Sequence, residues 1–167
     1  MNRSVGRHAQ PWITLAVLAF PLHWIWEMGQ APLYAGMLQR PWYDATRLCT
    51  VASVGDVVIT LVAYAIVAAL FKDRFWAFPL RSSRLQSSQS RPRYRSVAIP
   101  QIGLYLVIGI VITAIVEFFN ISVLHRWEYG PEMAQIFGLG VAPLAQWVVV
   151  PVLIVWLAGL SNSATKL

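Results

Sequence analysis

The chain has 167 residues, of which 57% are hydrophobic and only 12% charged, against about 45–50% and 25% in soluble domains. So few charged groups cannot coat a water-soluble globule, which excludes that class and predicts one all-α domain within a lipid bilayer. The net charge of +6 does not indicate a nucleic-acid partner, because the basic residues collect between the apolar runs. The single cysteine, Cys49, excludes an intramolecular disulfide and argues against a cysteine-based metal site.

Four apolar segments predict membrane-spanning helices at about residues 12–30, 50–71, 99–124 and 134–160. About 20 residues rising ~1.5 Å each cover the ~30 Å hydrocarbon layer, and a helix satisfies its own backbone there. The first segment is interrupted by Pro21, His23 and Glu27, so we expect a retained span rather than a cleaved signal peptide. The predicted architecture is a polytopic bundle of four transmembrane helices that occupies residues 1–167.

The connection at about 72–98 is rich in serine, glutamine and arginine over 81–96. This composition predicts a flexible basic loop. The N-terminal tail, this loop and the C-terminal tail carry ten of the thirteen basic residues, and a four-span topology places them on one side of the membrane. The positive-inside rule therefore predicts a bacterial inner-membrane protein with both termini in the cytoplasm.

All acidic residues well inside the predicted spans fall in the periplasmic half of the membrane. Glu27 comes late in the first span, Asp56 early in the second and Glu117 late in the third. An acid at the centre of a span costs about 2.5–3.5 kcal/mol on insertion scales, so three in one layer predict a functional polar pocket. These three are the candidate catalytic residues, with His23 as a proton partner.

Helical spacing predicts that polar residues of all four spans face one another. His23, Glu27 and Gln30 share one face of the first helix. The stripes on the other three helices are Ser53, Asp56, Thr60 and Tyr64; Gln101, Tyr105, Gly109, Thr113, Glu117 and Asn120; and Gly138, Ala142, Ala145 and Gln146. The candidate ligand-binding residues are Trp24, Trp26, Gln30, Asn120, Gln146 and Trp147.

A weak internal repeat relates the two halves of the chain. Glu27 and Asp56 are 29 positions apart, as are Glu117 and Gln146. Each interval also contains aromatic residues expected at the outer membrane interface, Tyr129 among them. The chain therefore either consists of two repeated helical hairpins or matches this spacing at a few positions by chance. The loop WEYGPEM at 127–133 is predicted as an ordered interfacial turn or, alternatively, a lid.

The same carboxyl groups have two other interpretations. They could simply hold helices together through hydrogen bonds to neighbouring polar residues. With His23 they could bind a metal ion, but the chain has only three histidines and no HExxH or paired-histidine spacing, so no metal site is predicted. No cofactor is indicated, and the sequence leaves open whether the protein is an enzyme.

Small bacterial inner-membrane proteins to which no function is attached resemble this chain in the stretches HWIWEMGQAPLYAGM, GDVVITLVAYAIVA, RWEYGPEM and GLGVAPLAQWVVVPVL. Trp26-Glu27 and Asp56 also resemble a pattern in integral-membrane terpene cyclases, where a Trp-Glu pair on one helix and an aspartate on another protonate an isoprenoid. This second likeness implies that Glu27 and Asp56 would act on an isoprenoid. Those enzymes have more spans than the four predicted here.

Three functions fit this pattern. The first is a membrane enzyme or binding protein for a lipophilic small molecule that enters from the outer leaflet. The second is a small proton-coupled carrier or channel, expected to be a homo-oligomer because four helices enclose little space. The third is an accessory or assembly subunit whose acids face a partner in a membrane complex. The expected surroundings are the lipid bilayer.

Overall fold

The computed structural model of the protein describes residues 3–78 and 99–164. This part of the chain is mostly helical, which confirms the all-α part of the prediction. Four long helices are present: α1 (Arg3–Gln30), α2 (Trp42–Leu70), α3 (Ile99–Phe118) and α4 (Val141–Ala164). A 3-10 turn, Ala31–Leu33, follows α1, and a π-helical turn, Phe119–Val123, follows α3.

The helices form a bundle in which each helix packs against two neighbours. α1 packs against α2 and α4, and α3 packs against the same two helices. The order around the bundle is therefore α1, α2, α3, α4, which leaves α1 opposite α3 and α2 opposite α4. α1 and α2 run antiparallel, since His23 contacts Thr60 while the later Glu27 contacts the earlier Cys49.

Three helices in the described part of the chain are long and apolar enough to cross a membrane. They are Trp42–Leu70, Ile99–Val123 and Val141–Leu160. Much of their surface is exposed and apolar, as expected of helices that contact lipid tails rather than water. α1 is less apolar, because His23, Glu27 and Gln30 fall within it.

The second helix is longer than the predicted span, since α2 begins at Trp42, eight residues before residue 50. Its first turns contain polar residues, which a hydropathy pattern does not assign to a span. The backbone amides of Asp44 and Ala45 donate to the Pro41 carbonyl oxygen and so begin the helix. Asp44 also places a negative charge near the positive end of the helix dipole.

The fourth helix begins seven residues after the predicted start of its span, because residues 134–140 are not helical. Two short antiparallel strands, β1 (Gln135–Ile136) and β2 (Leu139–Gly140), form a hairpin there. Phe137 and Gly138 join them with positive φ angles of 52° and 77°, the conformation that a two-residue hairpin turn requires. Gly138 is therefore not on a helical stripe with Gln146.

The beginning of the predicted flexible loop is packed against the bundle. Trp76, Ala77 and Phe78 are buried, and the Trp76 ring stacks on the Tyr64 ring with their centroids 5.4 Å apart. The Tyr64 hydroxyl donates to the backbone oxygen of Arg74, which ties this turn to α2. Residues 72–78 are thus ordered structure rather than linker, and the rest of the predicted loop, 79–98, lies outside the described residues.

The predicted polar stripe of α3 is its buried face. Gln101, Tyr105, Gly109, Thr113 and Glu117 are the buried residues of this helix, at the i, i+4 spacing that the sequence indicates. Gly109 is required by close packing, since a Cβ there would lie 2.0 Å from Cε3 of Trp147 on α4. Small residues of this kind allow two membrane helices to approach closely.

Candidate functional site: a buried acidic network

Gln146 of α4 connects two other helices of the bundle. Its amide nitrogen lies 2.8 Å from Nδ1 of His23 on α1 and 2.9 Å from Oδ2 of Asp56 on α2. His23 has no exposed surface, and Gln146 is 2% exposed. Polar groups buried this deeply need hydrogen-bond partners, and this amide supplies one to each of two helices.

The hydrogen bonds of His23 define which of its nitrogens carries the proton. The Gln146 amide donates to Nδ1, so that nitrogen is the acceptor and the proton resides on Nε2. Nε2 lies 3.1 Å from the hydroxyl oxygen of Thr60 and donates to it. The Trp147 ring lies beside the imidazole, with ring centroids 5.5 Å apart.

Glu27 joins the same cluster from one turn further along α1. Gln30 donates to its Oε1 over 2.8 Å, and the Trp26 indole donates to Gln30 over 3.1 Å. The Glu27 carboxyl also lies close enough to Asp56 and Gln146 to interact with both side chains. Two of the three predicted acids therefore meet directly.

Glu117 reaches the cluster from α3 and is held by a tyrosine of the following loop. The Tyr129 hydroxyl donates to Glu117 Oε2 over 2.7 Å and accepts from the Gly140 amide over 2.7 Å. The Glu117 carboxyl interacts electrostatically with both Glu27 and Asp56. We call the set of Glu27, Asp56, Glu117, His23 and Gln146 the acidic network.

Two loops pair over the end of the bundle that holds the acidic network. Tyr34 and Tyr129 form an antiparallel bridge, with the Ala35 amide donating to Glu128 O over 2.9 Å and the Gly130 amide to Leu33 O over 2.8 Å. A Cβ on Gly130 would lie 3.0 Å from Leu33 O, so only glycine allows this approach without a shift. We call these paired loops the cap.

The pKa values of the two tyrosines of the cap are raised above their ordinary values. Burial raises the pKa of Tyr129 above its ordinary value, and its hydrogen bond to Glu117 raises the pKa further. Burial likewise raises the pKa of Tyr34, and the nearby negative charges of Glu117 and Glu27 act in the same direction. Burial and the neighbouring acids thus both disfavour ionisation of these hydroxyls.

The acidic network contains three carboxyl groups and no strong base. His23 Nδ1 lies 3.7 Å from Asp56 Oδ2, and in the described residues no lysine or arginine pairs with Glu27, Asp56 or Glu117. Over the same residues, no group of three or more His, Cys, Asp or Glu side chains is arranged to hold a metal ion.

Most of the predicted site residues lie together, while two lie apart. Trp26, Gln30 and Trp147 contact members of the acidic network. Trp24 instead donates to Thr50 over 3.1 Å, and Asn120 donates to the Val116 carbonyl oxygen of its own helix over 2.7 Å. Neither of these two is hydrogen-bonded to the acids.

Sequence reasoning missed the two tyrosines of the cap. Tyr129 was predicted only as an interfacial aromatic residue, and Tyr34 had no predicted role. The Gly130-Pro131 turn in WEYGPEM was the one available signal that this loop bends back toward the bundle. No known protein family, curated protein or solved structure matches the chain, so the geometry of the site alone supports a function.

Proposed function

We propose that the protein is an integral protein of a bacterial inner membrane in which α1 is the fourth span and both termini are cytoplasmic. The polar face of α1 is covered by α2 and α4. Its opposite face is apolar and exposed, with Ile13, Val17 and Ile25 each more than 60% accessible. A helix with one buried polar face and one exposed apolar face suits the edge of a membrane bundle.

Within that architecture, the acidic network binds a lipophilic small molecule that enters from the outer leaflet and presents a polar group to the acids. The observation that carries this proposal is the set of three carboxyls, which in the described residues have His23 near Asp56 but no lysine or arginine paired with them. Acids within a span are costly and are kept where they pair, bind or transfer protons. A carboxyl in such surroundings can donate a hydrogen bond or a proton to a bound molecule.

The alternative of an accessory subunit fits the geometry less well. Acids that dock a partner would face outward, but Glu117 is only 7% exposed and the Asp56 side chain 14%. Both carboxyls point into hydrogen bonds within the chain, to Tyr129 and Gln146 respectively. The polar layer is therefore an internal feature of one subunit.

The test is native mass spectrometry and an absorbance spectrum of the protein purified in mild detergent. We expect a stoichiometric isoprenoid, quinone or pigment on the wild type, and its loss in Glu27→Gln and Asp56→Asn. Glu132→Gln, an exposed acid outside the network, is the matched control and should retain the ligand. A folded wild type without any lipophilic molecule would contradict the proposal. Variants that fail to fold would show that the acids only hold helices together.

A further inference from the structure

A line of buried polar side chains continues from the acidic network toward the other end of the bundle. Asp56 and His23 lead through the His23–Thr60 hydrogen bond of 3.1 Å to Tyr105 on α3. Tyr105 is 1% exposed and Thr60 has no exposed surface. We call Asp56, His23, Thr60 and Tyr105 the polar column.

The acidic network and the polar column together cross a large part of the bundle. Tyr105 and Glu117 are twelve positions apart on the same face of α3, which is ~18 Å along a helix rising ~1.5 Å per residue. That distance is more than half of the ~30 Å hydrocarbon layer. A buried polar line of this length is not needed to hold the acids in place.

Several hydroxyl and indole groups along this line have no hydrogen bond in the described residues. Tyr105 OH lies near Thr60, but no hydrogen bond of regular geometry joins the two hydroxyls. Thr113 Oγ1 and Trp76 Nε1 are also unpaired, on residues 6% and 3% exposed. Buried groups of this kind are costly unless they bond water, and internal water is their ordinary partner.

We propose that the polar column conducts protons between the acidic network and the opposite end of the bundle. Asp56 gives a proton to His23 Nδ1 when the Gln146 amide turns aside, and His23 Nε2 gives its proton to Thr60. The Thr60 hydroxyl proton passes to Tyr105, whose own proton passes to a water molecule. Each O–H or N–H bond that forms replaces one that breaks, and Thr60 and Tyr105 recover their hydroxyl protons. Asp56 is left as a carboxylate that takes up the next proton from the side of the acidic network, and His23, left protonated on Nδ1, returns to its Nε2 tautomer before the next transfer.

The surroundings of His23 suit this relay. The titratable group facing it from α2 is Asp56, at 3.7 Å, and α4 contributes the neutral Gln146 and Trp147. An imidazole with one nitrogen near an acid and the other near a hydroxyl can accept a proton at the first nitrogen and donate a proton from the second. This activity does not require the lipophilic ligand of the proposed function, so either proposal can fail without the other.

The test is proton flux into vesicles that contain the full-length protein and an internal pH-sensitive dye. A potassium gradient with valinomycin supplies the driving voltage. We expect Tyr105→Phe and Thr60→Val to lower the flux by about tenfold or more, since each removes a hydroxyl relay whose loss raises the barrier. Tyr43→Phe and Thr46→Val, which alter hydroxyls outside the column, should conduct like the wild type.

A second comparison separates conduction from folding. Thr60→Ser retains the hydroxyl and should restore most of the flux that Thr60→Val loses, with both variants checked for wild-type helix content and melting temperature. Wild-type vesicles that acidify no faster than protein-free vesicles would overturn the proposal. A flux in Tyr105→Phe equal to that of the wild type would overturn it as well.

Discussion

Gln146 makes two cross-helix hydrogen bonds within the acidic network, since its amide donates to both His23 and Asp56. Its neighbours on α4 are apolar, so the amide would be unfavourable in lipid without these partners. A single neutral residue thereby links three helices. The position of the amide, rather than an ion pair, holds an acid and a histidine at the same depth.

Replacing Gln146 by leucine should destabilise the protein. The change removes the donor that Gln146 supplies to His23 Nδ1 and to Asp56 Oδ2, and each buried group left unsatisfied costs about 1–3 kcal/mol. Thermal melting in detergent, followed by circular dichroism, should show a lower midpoint than the wild type. Gln39→Leu, in an exposed turn, is the control and should melt within error of the wild type. Equal midpoints for both variants would show that the amide contributes no net stability.

Gly109 is expected to be intolerant of even one methyl group. Alanine there would place its Cβ within 2.0 Å of the buried Trp147 ring, and overpacking of this kind costs about 1–3 kcal/mol. Gly103→Ala on the same helix meets nothing within 4 Å, so it should be neutral or slightly stabilising. The measurement is the difference in detergent melting temperature between the two variants. A Gly109→Ala protein as stable as Gly103→Ala would mean that the two helices separate easily.

At the residue scale, the sequence predicted the members of the acidic network but not their partners. His23, Glu27 and Asp56 are identifiable because each is a polar exception within an apolar run. Tyr34 and Tyr129 are not, because aromatic residues near a span end are commonplace at membrane interfaces and carry no signal of a particular contact. Trp24 was predicted in the site but lies apart from it, because the residue next to His23 in the sequence lies on another face of α1.

At the element scale, the loops differ most from prediction, because their structure depends on contacts between them. The cap joins the connection after α1 to the connection after α3, and the hairpin of Gln135–Gly140 replaces the first turns of the predicted fourth span. The predicted repeat remains a prediction. The residues that it relates do lie on opposite helices, Glu27 with Glu117 and Asp56 with Gln146, as a two-fold axis along the bundle would place them.

Tyr129 should stabilise the hairpin through its hydroxyl. Tyr129→Phe removes both the bond to Glu117 and the bond from the Gly140 amide, while the ring still packs against Gly140. We expect faster amide hydrogen exchange in peptides covering 134–141, because the Gly140 amide loses its acceptor. Tyr43→Phe, an exposed tyrosine, serves as the control. Unchanged exchange in the hairpin would mean that backbone pairing alone orders it.

At the scale of the whole molecule, membrane topology follows from where the basic residues lie. A fluorescent protein fused after Leu167 should fluoresce, because we expect the C-terminus in the cytoplasm. Alkaline phosphatase fused after Gln39 should be active, because the cap then lies in the periplasm. The inverse pair of results would contradict the proposed topology. An inactive phosphatase with a fluorescent C-terminus would mean that the three helices after Gln39 do not all span the membrane, because three crossings place Gln39 and the C-terminus on opposite sides.

The sequence by itself determined the apolar runs, the helical phase of their polar residues and the gathering of basic residues between spans. These are local properties, since hydropathy and a 3.6-residue period depend only on neighbours along the chain. The tertiary structure decided the order of helices around the bundle, the pairing of loops into a cap and the choice of Gln146 as the partner of both His23 and Asp56. Those depend on how closely helices approach, as at Gly109 and Trp147, and no local pattern encodes that distance.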